Sequence, residues 1–350
     1  MTAEPTPASP AERRHGTEPS GLDRGRSTGL DGLRALASIF VVLFHIRNFS
    51  AFTFGPFDRF VMGGDTGVWM FFALSGYLLY KPFLTKSVDL RGYALRRAAR
   101  IVPGYYVALA CVFLLTGPRL VIDHPLPYLT GTFTYDIPLR GFFGNAWTLS
   151  AEVLFYVTLP LLALLARGRE TAVLGGLAIA SMVLSLVHRV TMNQSTEWLH
   201  GSYPLVFYAF VPGMLLAALE VRRPDTFRRL ARWPYLVLGL TALAMGAVST
   251  ILPIPFGTLL GTPLVMGWVL HRNVPGAHYL AFAGGASYAL YLWHKDLLIA
   301  YGPLGLLIAV VGACLSWALV ERPILARAHA LAATWKTRRA TGGAAVAPAE

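Results

Sequence analysis

The sequence predicts an all-α integral membrane protein, a bundle of about ten transmembrane helices with both termini on the cytoplasmic side. Three observations carry that expectation. Only 14% of the 350 residues are charged while 55% are hydrophobic, and the mean hydropathy is +0.53; a soluble domain carries about 25% charged residues. Ten apolar stretches are each long enough to cross a hydrocarbon core about 30 Å thick. The cations, finally, divide unevenly among the segments that join those stretches. The same composition excludes a disordered chain and a coiled coil, and two cysteines exclude a disulfide scaffold.

Residues 1–29 contain Pro5, Pro7, Pro10, Arg13, Arg14, Arg24 and Arg26 and no apolar run, so they read as a disordered cytoplasmic tail rather than a secretory leader. The membrane domain, 30–322, holds spans at 30–49, 66–84, 101–120, 147–166, 171–189, 203–221, 234–252, 255–271, 280–300 and 303–321. Residues 323–350 read as a basic, mostly disordered cytoplasmic tail. The longest connection, 121–146, is rich in Pro, Tyr, Thr and Asp and is expected over an outward-facing cavity. The connection at 222–233 reads as a short amphipathic helix on the membrane surface.

With the N-terminus inside, the inner segments carry 23 cations, from Arg13 to Arg339, and the outer segments carry five: Arg47, Arg59, Arg119, Arg140 and Arg189. Cytoplasmic loops accumulate Lys and Arg, so this split predicts the orientation. It also accounts for most of the formal charge of +12, which needs no nucleic acid. The expected surroundings are the lipid bilayer of the cell membrane. Cys111 and Cys314 fall inside spans and read as small apolar side chains. No metal-ligand spacing, P-loop, GxSxG or internal repeat occurs.

An ionisable side chain inside a span costs about 2.5–3.5 kcal/mol on insertion scales, so the few present need a reason. Arg34 and His45 share the first span. Eleven residues at about 100° each bring them within about 20° of one face, with a rise of about 16 Å. They line one groove without touching, which suits a long ligand, anionic at one end and reactive at the other. Arg97 and Arg100 lie one turn apart at the inner mouth of the third span, a phosphate-binding arrangement or plain membrane anchoring. Glu152 lies in the fourth span with Trp147, Ser150 and Tyr156 nearby. Such a carboxyl must be protonated, paired or facing water. His294, Lys295 and Asp296 sit within the ninth span, the last two more in keeping with structure than with catalysis. Ser75 and Gly76 interrupt the bulky second span, for close helix packing or to make room for a thin ligand chain.

These motifs, in this order, resemble the acyltransferase-3 family of membrane-bound O-acyltransferases. GLDGLRALA with Arg34, ten residues and His45 comes first. FFALSGYLL at 71–79, RRAARIVP at 96–103, WTLSAEVLFYVTLP at 147–160, SYALYLWH at 287–294 and ERP at 321–323 follow. The resemblance implies a ten-helix enzyme that moves an acyl group, often acetyl, from cytoplasmic acyl-CoA to a hydroxyl, commonly on a sugar. The family's Arg-x10-His falls on Arg34 and His45, its Arg-x-x-Arg on Arg97 and Arg100, and its glutamate on Glu152. The chain resembles the stand-alone form without a C-terminal esterase-like domain, a branch that includes enzymes acylating sugars on macrolide-type metabolites. It departs from the pattern after His294, where Lys295 and Asp296 stand and many relatives carry a proline.

Acyl transfer from a thioester to an alcohol removes the alcohol's proton as attack begins, and an imidazole suits that task near neutral pH. His45 is the expected base, with Glu152 orienting it or holding the acceptor hydroxyl. Arg34, Arg97 and Arg100 would take the phosphates of acyl-CoA, acetyl-CoA above all, as co-substrate; no tightly bound cofactor is expected. Ser75, Gly76, Trp147, Ser150, Tyr156 and His294 would shape the site around a carbohydrate or glycosylated acceptor. A covalent acyl intermediate on His45, Ser75 or Ser150 is the lesser alternative. A multi-span secondary transporter of a small polar or anionic solute is the rival reading, since embedded His, Glu, Asp and Lys suit it too.

Overall fold

In the computed structural model the described residues are 28–117, 119–135, 141–191, 203–248, 256–272 and 277–344. Every regular element among them is helical, as lipid demands: with no water to satisfy exposed N–H and C=O groups, the backbone must bond within its own segment. The longer helices are α1 (Thr28–Phe49), α2 (Thr66–Thr85), α3 (Leu90–Thr116), α4 (Trp147–Leu165), α5 (Glu170–Thr191), α6 (Val211–Arg222), α7 (Trp233–Val248), α8 (Phe256–Leu270), α9 (Ala277–Ser316) and α10 (Arg322–Ala344).

By length and apolar composition five helical stretches can cross a membrane: Thr28–Phe49, Leu90–Thr116, Gly144–Leu165, Glu170–His188 and Phe282–Thr337. A sixth arises if Tyr203–Ala209 and α6, bent by 43°, count as one. α2 fills the expected second span with a more polar sequence that includes Ser75, Tyr77, Tyr80 and Lys81, and α7 and α8 are shorter apolar helices. Inside α9 the backbone leaves helical geometry at Gly302, with φ 59° and ψ −137°, a conformation glycine adopts without steric cost. That break falls between the expected ninth and tenth spans.

Helix ends explain two differences from the sequence reading. α3 starts at Leu90, well before the expected 101, because the Asp89 carboxylate caps it by accepting from the Gly92 N–H at 2.9 Å. Arg97 and Arg100 therefore lie within the helix and not in the connection before it. The segment after 322, expected as a mostly disordered tail, is helical to Ala344. Its Ala, Leu and Arg content favours helix, and it packs along α3 with Ala328 and Ala332 buried. Residues 1–27 and 345–350 of the two expected tails lie outside the described residues.

α1 packs on α9 and α2, α2 on α6, α3 on α9 and α10, and α7 on α8. The α2–α6 seam is close. A Cβ on Gly213 would lie 1.7 Å from the Ala73 carbonyl oxygen, and one on Gly76 2.1 Å from that of Phe210. At the end of this seam Glu220 accepts from Tyr77 Oη at 2.6 Å and from Lys81 Nζ at 2.7 Å.

The segment after α3 folds back over the bundle, held by Tyr105 and Tyr106, whose hydroxyls donate to the carbonyls of Tyr128 and Leu129. Phe133 stacks on Tyr128, and Phe143 is fully buried in a left-handed conformation (φ 57°). Asp296 holds that residue by accepting from the Phe143 N–H at 3.0 Å. A cavity of about 290 Å3 lies beneath the segment, touching Tyr105, Leu129, Thr132 and Ser150, in keeping with a covering role for 121–146. The connection after α6 contains the short helix Pro224–Arg229, with Phe227 and Leu230 buried and Arg228 and Arg229 exposed.

Candidate functional site

Six helices and a π-helical turn line a cavity of about 360 Å3. α1 supplies Arg34, α2 Ser75, α3 Arg97 and Arg100, α4 Glu152 and Tyr156. α9 closes it with Tyr288 and Tyr291, and the turn Trp317–Glu321 adds Trp317. His329 of α10 reaches the same wall. Residues 34 to 329 thus converge on one space.

The carboxylate is tightly held. Glu152 Oε1 accepts from Tyr156 Oη at 2.6 Å and from Ser75 Oγ at 3.0 Å. The Tyr156 pair is one helical turn long, whereas the Ser75 bond fixes α4 against α2. The guanidinium of Arg97 lies 5.6 Å from the Tyr156 ring centroid. Arg100 lies between Tyr288 and Trp317, at 5.5 and 5.3 Å from their centroids, and donates to the Gly285 carbonyl at 3.4 Å. Aromatic faces attract a cation without consuming its N–H donors. The Nε atoms of Arg34 and Arg97 are buried without an acceptor among the described residues. Three cations with donors to spare therefore face one cavity, an arrangement suited to phosphate oxygens.

His45 does not line this cavity, nor does it meet Glu152, whose bonds go to Ser75 and Tyr156. Its partner is His294: Nε2 of His294 lies 2.9 Å from Nδ1 of His45. His294 Nδ1 is 2.8 Å from the Leu290 carbonyl, and His45 Nδ1 is 2.9 Å from that of Val41. A carbonyl only accepts, so His294 carries its proton on Nδ1, and its Nε2 lone pair takes the Nδ1 proton of His45. In the neutral pair this leaves Nε2 of His45 with a free lone pair. Phe49 stacks on His45 at 5.7 Å. Tyr291, a cavity wall residue, has its ring 6.1 Å from that of His294, so the pair sits just behind the wall.

The other expected site residues stand apart. Gly76 faces α6 and serves close packing. Ser150 bonds Thr134 Oγ1 at 2.7 Å under the covering segment. Trp147 lies edge-on to Phe72 at 6.0 Å. Lys295 stands over the Phe49 ring at 5.8 Å. Among the described residues no three His, Cys, Asp or Glu gather as metal ligands.

The acyltransferase-domain family model matches residues 27–322, a stretch that contains all the cavity residues except Leu325 and His329. The chain belongs to the acyltransferase-3 family. It is an acyltransferase, and its apolar helices and relatives mark it as a multi-pass membrane protein. It is similar to the exopolysaccharide production protein ExoZ of Rhizobium meliloti, 28% identical over 331 residues that cover 82% of this chain and 95% of that one. It is also similar to the O-acetyltransferase OatA of Staphylococcus aureus, 22% identical over 77% of this chain and 50% of that one. The peptidoglycan O-acetyltransferase OatA of Listeria monocytogenes is 32% identical over 37% of this chain and 23% of its own length. The chain thus spans nearly all of the first relative and half or less of the other two. No solved structure matches it.

The cavity residues of this acyltransferase that escaped the sequence reading include Tyr288, Tyr291, Trp317 and His329. Both tyrosines lie within the SYALYLWH motif, where the ionisable His294 drew attention instead. Trp317 is turned toward Arg100 by the π-helical stretch, a distortion that hydropathy does not reveal and that recurs at functional sites. His329 follows the last span, on a segment whose helix depends on docking against α3.

Proposed function

We propose that this acyltransferase moves an acetyl or short acyl group from cytoplasmic acyl-CoA to a hydroxyl of a carbohydrate or glycosylated metabolite. It would work in the cell membrane with ten spans and both termini inside. The observation that carries the donor is the convergence of Arg34, Arg97 and Arg100 on one cavity, with buried Nε atoms in need of acceptors. The phosphates of the donor would meet these cations, and the thioester end would pass Tyr291 toward the histidine pair. The rise of about 16 Å between Arg34 and His45 along α1 gives the arm its length. That the named relatives include an exopolysaccharide production protein and peptidoglycan O-acetyltransferases supports a carbohydrate acceptor.

The chemistry follows from the histidine pair. Nε2 of His45 takes the proton of the acceptor hydroxyl as its oxygen attacks the thioester carbonyl carbon. The carbon–sulfur bond then breaks, and the thiolate recovers the proton from His45 to leave as free thiol. During the step His45 is an imidazolium, stabilised at Nδ1 by the lone pair of His294 and the Val41 carbonyl. Glu152, held at Oε1, would use its other oxygen to orient the acceptor hydroxyl. Ten spans are supported by the break at Gly302 and the bent pair before Arg222.

The test is release of free thiol from acetyl-CoA by the purified protein, with and without a sugar acceptor. Acceptor-stimulated release, lost in His45→Ala protein that remains folded, supports the reading. No release under any condition, or full activity in the variant, refutes it. Labelling of cysteines introduced near each terminus in intact cells tests the orientation: neither should react with an impermeant reagent.

A further inference from the structure

Away from the acyl-transfer cavity, a groove of about 1110 Å3 runs between α5, α6 and α8, larger than the roughly 300–1,000 Å3 of an ordinary small-molecule pocket. Its walls are apolar: Ala178 and Met182 from α5, Leu215 and Leu219 from α6, Leu259 and Leu264 from α8. One end is different. Arg169, Arg222 and Arg223 gather there with Glu170, where α5 begins and α6 ends. Arg222 donates to Glu170 Oε1 at 2.7 and 3.1 Å. That pair neutralises itself, and the exposed Arg169 and Arg223 leave a net positive mouth.

The dimensions match one leaflet. From Glu170 to Met182 the lining runs twelve residues along α5, a rise of about 18 Å, against about 15 Å for half of a 30 Å hydrocarbon core. α5 is one of the helices long and apolar enough to cross a membrane. A groove with cations at one end and apolar walls over one leaflet's depth has the shape and polarity of a phospholipid. Basic pockets between membrane helices recognise anionic head groups. From this we infer that the groove is a binding site for one anionic diacyl phospholipid, its phosphate at Arg169 and Arg223 and its chains along α5 and α6. This inference does not depend on the acyl-transfer chemistry.

The purified full chain, exchanged in detergent against a mixture of phosphatidylglycerol and phosphatidylcholine, tests it by native mass spectrometry. The wild type should retain one phosphatidylglycerol in preference to phosphatidylcholine by about 30-fold, two arginines each contributing about 1 kcal/mol. Arg169→Gln with Arg223→Gln, both exposed and outside the packed core, should bind the two lipids equally. A Cβ on Gly175, a groove residue, meets nothing within 4 Å, so Gly175→Trp should set its ring across the path of the acyl chains and weaken retention of both lipids. Equal retention of both lipids by the wild type, or an unchanged preference after loss of both arginines, overturns the inference. So does full retention by a folded Gly175→Trp protein.

Discussion

Nε2 of His294 accepts from Nδ1 of His45 at 2.9 Å, joining α9 to α1 across 249 positions of sequence. With the Val41 carbonyl, which also accepts from Nδ1 at 2.9 Å, the bond leaves Nε2 as the free nitrogen of His45. His45→Ala is expected to lower kcat by about 10²–10⁴-fold, the usual span of a general base. His294→Phe removes only the acceptor and should lower kcat by about tenfold, with the donor KM unchanged. Gln at 294 can accept through its carbonyl oxygen and should recover most of that loss. A kcat equal to wild type in His294→Phe would remove the positioning role.

Arg97 and Arg100 approach the cavity from one face of α3, each against an aromatic ring. A hydrogen bond to a charged group contributes about 1.5–3 kcal/mol, so Arg97→Ala is expected to raise the donor KM by about 10–100-fold with a smaller effect on kcat. Arg→Lys should recover little, because the ammonium lacks the planar fork. Initial rates against acetyl-CoA concentration check both.

Glu152 Oε1 serves Tyr156 and Ser75 together. Tyr156→Phe and Ser75→Ala each leave one donor in place, and the double variant leaves none. Their effects on kcat/KM for the acceptor should therefore be non-additive by about 0.5–3 kcal/mol, as expected of side chains in one network. Additive losses would mean that the two hydroxyls act separately.

His329 brings α10 to the arginine end of the cavity. His329→Ala should raise the donor KM several-fold at unchanged kcat, corresponding to about 0.5–1.5 kcal/mol for one hydrogen bond. An unchanged KM would confine α10 to a structural role.

Gly213→Ala drives a methyl group into the Ala73 carbonyl. Overpacking a tight seam costs about 1–3 kcal/mol, and the midpoint of thermal unfolding in detergent should fall while Gly175→Ala, which meets open space, leaves it nearly unchanged.

The sequence by itself determined the helical membrane class, because scarcity of charge and the length of apolar runs are local properties. It also determined the acyltransferase family, through the order of its motifs, and singled out Arg34, His45 and Glu152 as residues that needed a reason to be inside a membrane. Helix periodicity sufficed to put Arg34 and His45 on one face of α1. Which side chains these residues meet was decided only by tertiary structure. Glu152, a candidate to orient His45, is bonded by Ser75 and Tyr156 instead, and the side chain that lies against His45 is His294, because α1 packs on α9 while α4 packs on α2. Gly76 and Ser75 are neighbours in sequence, yet one backs onto α6 and the other faces the cavity, since successive residues of a helix point about 100° apart. Trp317 and His329 entered the site through a π-helical turn and a docked helix. Both depend on contacts between segments far apart in sequence, which spacing along the chain does not encode.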